Sequence, residues 1–578
     1  MRVVATAGHV DHGKSTLIRR LTGMEPDRWA EERRRGLTID LGFAWTELAD
    51  GCSVAFVDVP GHERFVPNML AGVGPVPAVL FVVAADEGWM PQSAEHLDAL
   101  DALGVSDGLL VITRSDLADP GPALEQARAR LRGTSLADVP PVLVSGRTGQ
   151  GWDELTEALD AMLHRLAPAD PDADVRLWID RAFAVKGAGT VVTGTLQGGA
   201  LRVGDRLRLT PSGLDAPIRA LHALGSAEEA LSAPARVAVN LRGVDLDQVR
   251  RGHALVSPGR WLSTDVVDVR VHPAADLPQQ LTLHIGSAAV PARVRPLGAD
   301  TARLALRQPL PLRIGDRALL RDPGGHAVRA GVTVLDVRPP ELRRRGAARA
   351  RAEQLDRIDG VPDGVAELRR RGLVRADELA AMGAVPPGDG PWLLSPQHRA
   401  HLAARLRDVL AEHRRDHPLD DGMPTGAALR ALDLPDPELL PGIAAEAGIP
   451  VQRGRLGGGS DLPEPVARAV QVLSGRLREH PFQAPTADEL AELGLGDREL
   501  AAAERTGALL RLAPGLVLLP DAADLALPRL AELDEPFTLS EAKRALDTSR
   551  RVAVPLLELL ARRGRTRRLP DGTHRTCR

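Results

Sequence analysis

At 578 residues the chain is longer than one hydrophobic core can serve, so several domains are expected. Its net charge of −4 is unevenly spread: residues 549–578 hold nine arginines against Glu558 and Asp571, and this basic end on an acidic body favours a polyanion partner there. The only cysteines, Cys52 and Cys577, are far apart and exclude a disulfide framework or a cysteine zinc site, while the longest apolar run, 76–85, is too short for a bilayer. The chain opens on an apolar run with no export leader, so a reducing, cytoplasmic setting and no membrane partner are expected.

Over residues 1–165, short β-branched runs at 3–7, 54–57, 79–84, 109–113 and 141–145 are separated by helical stretches, which predicts a doubly wound parallel sheet. In such sheets the residues after each strand's carboxyl end are the site candidates. The first run leads into Gly8-His9-Val10-Asp11-His12-Gly13-Lys14-Ser15, followed by Thr16, a glycine-rich phosphate-binding loop whose N–H groups close around phosphate oxygens at a helix N-terminus. Lys14 is expected to bridge β- and γ-phosphates, and Ser15 to offer its hydroxyl to Mg²⁺. Among 73 basic residues only Lys14, Lys186 and Lys543 are lysine, so lysine at 14 reads as required where a guanidinium would be too large.

The polar stretch 27–35 and the run Arg35-Gly36-Leu37-Thr38-Ile39-Asp40 read as a switch segment, with Thr38 giving Mg²⁺ a second hydroxyl when a γ-phosphate is present. After the second run comes Asp58-Val59-Pro60-Gly61-His62, where Asp58 can reach Mg²⁺ through a water and Gly61 can offer its N–H to the γ-phosphate. Thr113-Arg114-Ser115-Asp116 follows the fourth run; a carboxylate at 116 can accept from the N1–H and amine of guanine, which adenine cannot supply. Ser145-Gly146-Arg147 follows the fifth and can present a backbone N–H to the guanine oxygen. The four motifs together point to GTP and GDP.

GHVDHGKS, RGLTID, DVPGH and SGR resemble the G domain of translational GTPases of the elongation factor Tu class. The resemblance implies that His62 is the catalytic residue that positions the attacking water, and that Val10 and Leu37 form an apolar gate holding it back until the ribosome acts. Where that family usually has Asn-Lys-x-Asp, this chain has Thr113-Arg114-Ser115-Asp116. Asp116 keeps guanine selectivity and Arg114 can lie over the base by its guanidinium and stem, but Thr113 lacks an amide's contacts, which leaves affinity open.

Residues 164–174 form a linker, and 175–338 alternate short strands with glycine turns, which predicts two small β-barrels with Arg202–Arg206 and Arg313–Arg317 in equivalent positions. The stretch 180–195, DRAFAVKGAGTVVTGT, resembles the second-domain signature of the same factors and, within them, the selenocysteine-specific branch. That resemblance implies a selenol pocket formed by Asp180, Arg181 and Arg236. A selenol is ionised at neutral pH, so two guanidiniums would favour it over serine. A surface ion pair plus an unrelated arginine is the alternative for the same residues.

Pro339-Pro340 closes the barrels, and the remainder is helix-rich with a loose repeat at Pro424-Thr425, Pro485-Thr486 and Phe537-Thr538. About four helix-turn-helix units with β wings would fill it, with a flexible break at 454–460. Ser549 is expected to cap a helix over 552–562 that presents Arg550 and Arg551, with Arg563, Arg565 and Arg567 on a wing facing RNA phosphates. The tail resembles the winged-helix region by which the selenocysteine factors bind an mRNA hairpin; a protein-docking array is the alternative. The expected architecture is thus multidomain: an α/β P-loop GTPase domain (1–168), β-barrels at 175–258 and 262–338, and a mainly α array of winged-helix units at 340–578, with cuts near 396, 460 and 522. The implied function is a monomeric carrier of selenocysteinyl-tRNA to the ribosome at UGA codons marked by a selenocysteine-insertion hairpin. A general aminoacyl-tRNA carrier or a regulatory GTPase subunit remains the alternative.

Overall fold

The computed structural model describes residues 1–26, 38–48, 50–62, 65–74, 76–324, 327–458 and 462–577. It divides into two compact units, residues 1–367 with 374–393, and residues 368–373 with 394–578. Residues 27–37, and with them Leu37, lie outside the described residues, as do 459 and 460 of the expected break.

The first unit begins with β1 (Arg2–Ala7), α1 (Lys14–Thr22), β2 (Gly42–Glu47), β3 (Ser53–Asp58), α2 (Val66–Val73), β4 (Ala78–Ala84), α3 (Pro91–Leu103), β5 (Asp107–Thr113), α4 (Pro120–Leu131), β6 (Pro141–Leu143) and α5 (Trp152–Arg165). The sheet order is β2-β3-β1-β4-β5-β6. Its central strands are apolar on both faces because helices cover both: Val3, Ala5, Val79, Phe81 and Val83 line one core, and Val4, Leu80, Val82, Leu109 and Val111 the other. One expectation needs correction. The sheet is not wholly parallel, since β2 adds an antiparallel edge to β3, in register from Gly42 opposite Asp58 to Glu47 opposite Ser53. GFAWTE lacks the β-branched run that marks the other strands, and the pairing with β3 supplies what its own propensity does not. Helix α5 also runs to Arg165, so the linker starts after it.

Two barrels follow. The first contains β7 (Arg176–Trp178), β8 (Arg181–Val185), β9 (Gly189–Leu196), β10 (Ala200–Arg202), β11 (Arg206–Thr210), β12 (Leu214–Ala223), β13 (Ser226–Glu228), β14 (Ala230–Ser232), β15 (Ala235–Leu241) and β16 (Ala254–Val256). Its ring runs β11-β16-β7-β9-β15-β12 and closes through the β11–β12 pairing, while β8 pairs only with β9. The second barrel consists of β17 (Leu262–His272), β18 (Gln280–Ile285), β19 (Ala288–Pro296), β20 (Thr301–Leu312), β21 (Arg317–Arg321) and β22 (Val328–Asp336), closed in the order β17-β20-β19-β18-β21-β22. The two Arg-x-Gly-Asp-Arg turns are equivalent bond for bond. Asp205 accepts from the Arg202 N–H and Asp316 from the Arg313 N–H, both at 2.8 Å, while Gly204 and Gly315 donate to Ile218 O and Val334 O, both at 2.9 Å.

The barrels are locked together: Arg176 makes a two-pronged pair with Asp316 at 2.6 and 2.7 Å, and the guanidiniums of Arg176 and Arg313 both stack on Trp261, 4.4 and 3.8 Å from its ring centroid. Helix α3 lies against β21 and β22, so that Leu319 of the barrel joins the core of the first sheet. Beyond Pro340, α6 (Ala347–Leu355) packs onto the second barrel through Arg351, only 3% exposed and bonded to Asp268 at 2.7 Å and Asp336 at 2.5 Å. Two buried carboxylates around one buried guanidinium make this contact expensive to break.

In the second unit one pattern occurs three times: three helices and an antiparallel strand pair. The first helices are Pro396–Asp416, Glu464–Glu479 and Ala522–Ala531, and the strand pairs are Val451–Gln452 with Arg455–Leu456, Leu510–Ala513 with Leu516–Leu518, and Thr566–Arg568 with His574–Thr576. Between Pro340 and Ser395 the order differs, since the helix Ala376–Ala381 separates the short strands Leu373–Arg375 and Trp392–Leu394. Thr486 and Thr538, two of the three threonines of the loose repeat, start their helices with full capping boxes to Glu489 and Glu541. The last two repeats share one continuous core, including Leu473, Leu500, Val517, Phe537 and Leu556.

Candidate functional site

The phosphate loop joins β1 to α1. Gly8 has φ +128°, and a Cβ there would lie 2.1 Å from Val82 O, so only glycine fits. Lys14 is buried and its Nζ donates to Gly8 O at 2.9 Å and His9 O at 2.6 Å, at the centre of the loop. Burial pushes its pKa down to about 8, against the pull of Asp58 and Asp11. Gly61 presses on the same point: a Cβ there would stand 2.5 Å from Lys14 Nζ and 2.6 Å from Val10 N. The Asp58-x-x-Gly61 and Gly-Lys-Ser motifs are therefore in contact, and a side chain at 61 would part them. His62 follows directly, partly exposed, with its ring 5.9 Å from that of Phe65, and Val10 is half-buried in the loop.

Ser15 Oγ lies 3.2 Å from Thr38 Oγ1. Asp58 accepts from Thr6 Oγ1 at 2.7 Å through one oxygen, and its other oxygen is buried with no hydrogen-bond partner. Burial pushes this carboxyl up, offset by the Ser15 hydroxyl, Lys14 and Thr6. Two hydroxyls and an unpartnered buried carboxylate oxygen are the hard donors Mg²⁺ takes, so the residues fit that ion. One participant was not visible in the sequence. Gly8 donates its N–H to His96 Nδ1 on α3 at 3.0 Å, and burial pushes the His96 pKa down to about 3, keeping it a neutral acceptor. Nothing in the run PQSAEHLDAL distinguishes that histidine from an ordinary helix residue.

At the base-reading end, Thr113 Oγ1 donates to His12 O at 2.7 Å and so ties this strand end to the phosphate loop. Asp116 accepts from Ser145 Oγ at 2.7 Å, and the same Oγ accepts from the backbone N–H of Arg147 at 3.2 Å; Gly146 O accepts from Arg20. Thr113, Asp116 and Ser145–Arg147 are thus brought together. Arg114 departs from expectation: its guanidinium is held by Asp86 at 2.9 Å, Glu87 at 2.8 Å and Asp11 O, which leaves its stem rather than its plane for a base.

A second constellation forms where β2 faces the first barrel. Asp180 pairs with both terminal nitrogens of Arg236 and accepts from Thr193 Oγ1 at 2.7 Å. The Arg236 guanidinium stacks 3.9 Å from the Phe43 ring centroid. Arg181 turns away from Asp180 and donates to Asp40 Oδ2 at 2.9 Å and Leu41 O at 3.2 Å. A pocket of about 250 Å³ is lined by Phe43, Trp45, Arg181, Thr193, His222 and Arg236. Arg181 and Arg236 both line it. Asp180 serves instead to hold Arg236. Phe43 escaped the sequence reading, and Asp40 was read only within the switch run, because their partners lie some 140 residues away or more.

In the last repeat Arg550, Arg563, Arg565 and Arg567 are exposed. Arg551 is exposed too but donates to Gly515 O at 2.9 Å, in the wing turn of the preceding repeat. Ser549 occupies the N-cap position of the helix Arg550–Arg562 without making the expected side-chain cap bond. The preceding Thr548 takes up the neighbouring contact by donating to Phe482 O.

Residues 1–165 match the family described as the elongation factor Tu GTP binding domain, residues 264–341 the β-barrel domain of selenocysteine-specific elongation factor, and residues 529–575 the winged helix of elongation factor SelB. The selenocysteine-specific elongation factor of Escherichia coli K12 is 36% identical over 456 residues, covering 75% of this chain and 73% of that protein. The chain belongs to the selenocysteine-specific elongation factors. The Desulfomicrobium baculatum member is 40% identical over 336 residues, and the match spans 53% of its length. A bacterial selenocysteine-specific elongation factor crystal structure superposes over all of both chains with a TM-score of 0.76 at 26% identity. A Methanococcus maripaludis SelB structure, solved with the GTP analogue GppNHp, covers 58% of this chain and 79% of its own, with a TM-score of 0.51 at 26% identity. The family fixes the first domain as a GTPase of the elongation factor Tu type, taking GTP or GDP with Mg²⁺. Among the described residues no helix is long and apolar enough to cross a membrane.

Proposed function

We propose that this protein, acting in the cytoplasm as a monomer, carries selenocysteinyl-tRNA in its GTP form to ribosomes at recoded UGA codons. Its C-terminal winged-helix region binds the mRNA hairpin that marks the codon, within the organisation 1–168, 175–258, 262–338 and 340–578. The observation that carries this reading is the continuity of one short segment: Thr38 lies at Ser15 in the nucleotide site, while Asp40 and Phe43 touch the two arginines of the pocket. Cargo and nucleotide then share an element.

Residues Gly8–Thr16 and Gly61 hold the phosphates, and Thr113, Arg114, Asp116 and Ser145–Arg147 hold guanine. Ser15, Thr38 and, through a water, Asp58 would hold Mg²⁺, which when bound neutralises charge on the β- and γ-phosphates. His62 orients the attacking water behind Val10 and Leu37, a task that needs placement more than a strong base. Arg181 and Arg236 favour an ionised selenol over a neutral serine hydroxyl. Arg550, Arg551, Arg563, Arg565 and Arg567 meet hairpin phosphates, and the tether raises the local concentration of the charged complex at its codon. UGA recoding in a reconstituted translation system tests this. Selenocysteine insertion that requires the protein, GTP and the hairpin is the expected result, and insertion indifferent to the hairpin would overturn the tethering role.

A further inference from the structure

The two pocket arginines are held by different parts of the molecule. Arg236 is fixed within the barrel, by Asp180 and Thr195 across β9 and β15. Arg181 is fixed from outside it, by Asp40 and the Leu41 carbonyl of the first domain. Asp40 is shared: its other oxygen lies 3.5 Å from Arg251, which also donates to Asn68 Oδ1 at 2.8 Å. Asn68 stands on α2, just beyond the Asp58-x-x-Gly61-His62 motif, and its amide donates to Ile39 O at 2.8 Å. Residues 38–41 are thus gripped at one end by Ser15 of the nucleotide loop and at the other by two barrel arginines and the helix after His62.

We propose that Asp40 is a positioning residue that sets the Arg181 guanidinium at the pocket only when Thr38 stands at the nucleotide site, so that half of the pocket's positive charge is under nucleotide control. This rests on the reading of the pocket as the selenocysteine site. Asp180 with Arg236 gives a constant attraction for an anionic side chain, and Asp40 with Arg181 gives a conditional one. A change at the γ-phosphate therefore reaches the cargo's side chain through two residues of backbone, Ile39 and Asp40, with no long pathway needed. By reciprocity, cargo seated against Arg181 favours the switch position that keeps Thr38 at Ser15.

The test compares the full-length wild type with D40N and D40E. It measures the affinity for a fluorescent GTP analogue and GDP, and for selenocysteinyl-tRNA and seryl-tRNA in each nucleotide form. D40N should bind the nucleotides as the wild type does, yet lose about tenfold of the ratio between GTP-form and GDP-form affinity for selenocysteinyl-tRNA, the ordinary size of such a coupling. Its preference over seryl-tRNA should narrow in the GTP form alone, and D40E should recover most of both. An unchanged ratio in D40N, with the wild type binding normally, would overturn the role of Asp40 and leave the cargo reading intact. Loss of GTP binding in both variants would also overturn it, since Asp40 would then serve the nucleotide site itself. A wild type that binds selenocysteinyl-tRNA in neither form would overturn the cargo reading and this proposal together.

Discussion

The nucleotide loop and the C-terminal wing are both charged regions, and they use charge in opposite ways. In the loop the charges are buried and answer one another: Lys14 is held by two carbonyls, Asp58 is bonded to Thr6, and Gly61 is packed against the ammonium. In the wing and the helix before it the arginines are exposed, and of the five singled out only Arg551 makes a side-chain hydrogen bond among the described residues. Buried charge defines a geometry and so one ligand; exposed charge defines only a potential, which fits any phosphate backbone until shape selects one.

That contrast can be broken at several points. His62→Ala should lower ribosome-stimulated GTP hydrolysis by about 10²- to 10⁴-fold while nucleotide affinity stays unchanged, as read by single-turnover hydrolysis beside equilibrium binding. Next in size, Arg236→Lys keeps the charge but gives up the two-pronged bond to Asp180 and the stacking on Phe43. Preference for selenocysteinyl- over seryl-tRNA should fall by roughly tenfold, measured as the ratio of the two dissociation constants.

In the wing, Arg567→Ala should weaken hairpin binding only a few-fold, about the same for every RNA sequence, and should lower the slope of log affinity against log salt by about one. Arg551→Ala should in addition show in thermal unfolding, by about 1 kcal/mol, because it loses the bond to Gly515 O. The smallest effect at neutral pH belongs to His96. Its folded pKa of about 3 lies below the ordinary 6.5. The unfolded chain therefore binds the proton first, and stability that is fully present above pH 6.5 is lost as pH falls toward 3. In His96→Asn the denaturation midpoint should match the wild type near pH 8 and fall less steeply between pH 6.5 and 4.

What the sequence made legible follows the same division. Strand-end motifs carried the proposed phosphate and guanine residues because the spacing of Gly8, Lys14 and Ser15 and the order of the strands are local properties. The repeated threonines at Thr486 and Thr538 and the twin turns at Gly204 and Gly315 were legible for the same reason. β2 was missed because its strand character is supplied by β3, and His96 because its partner, the Gly8 N–H, lies 88 residues earlier. Asp40 was read as the end of a switch and not as a partner of Arg181, 141 residues away. Contacts of that span depend on how the domains pack, which no local pattern encodes.

A GTP-dependent carrier selective for selenocysteine should reveal itself in the hydrolysis rate of the aminoacyl ester of selenocysteinyl-tRNA, measured with and without the protein and GTP, with seryl- and cysteinyl-tRNA alongside. Protection of the selenocysteinyl ester alone, and only with GTP, is the expected result. Equal protection of all three would make this a general carrier with an unselective pocket, and no protection would contradict the carrier reading altogether.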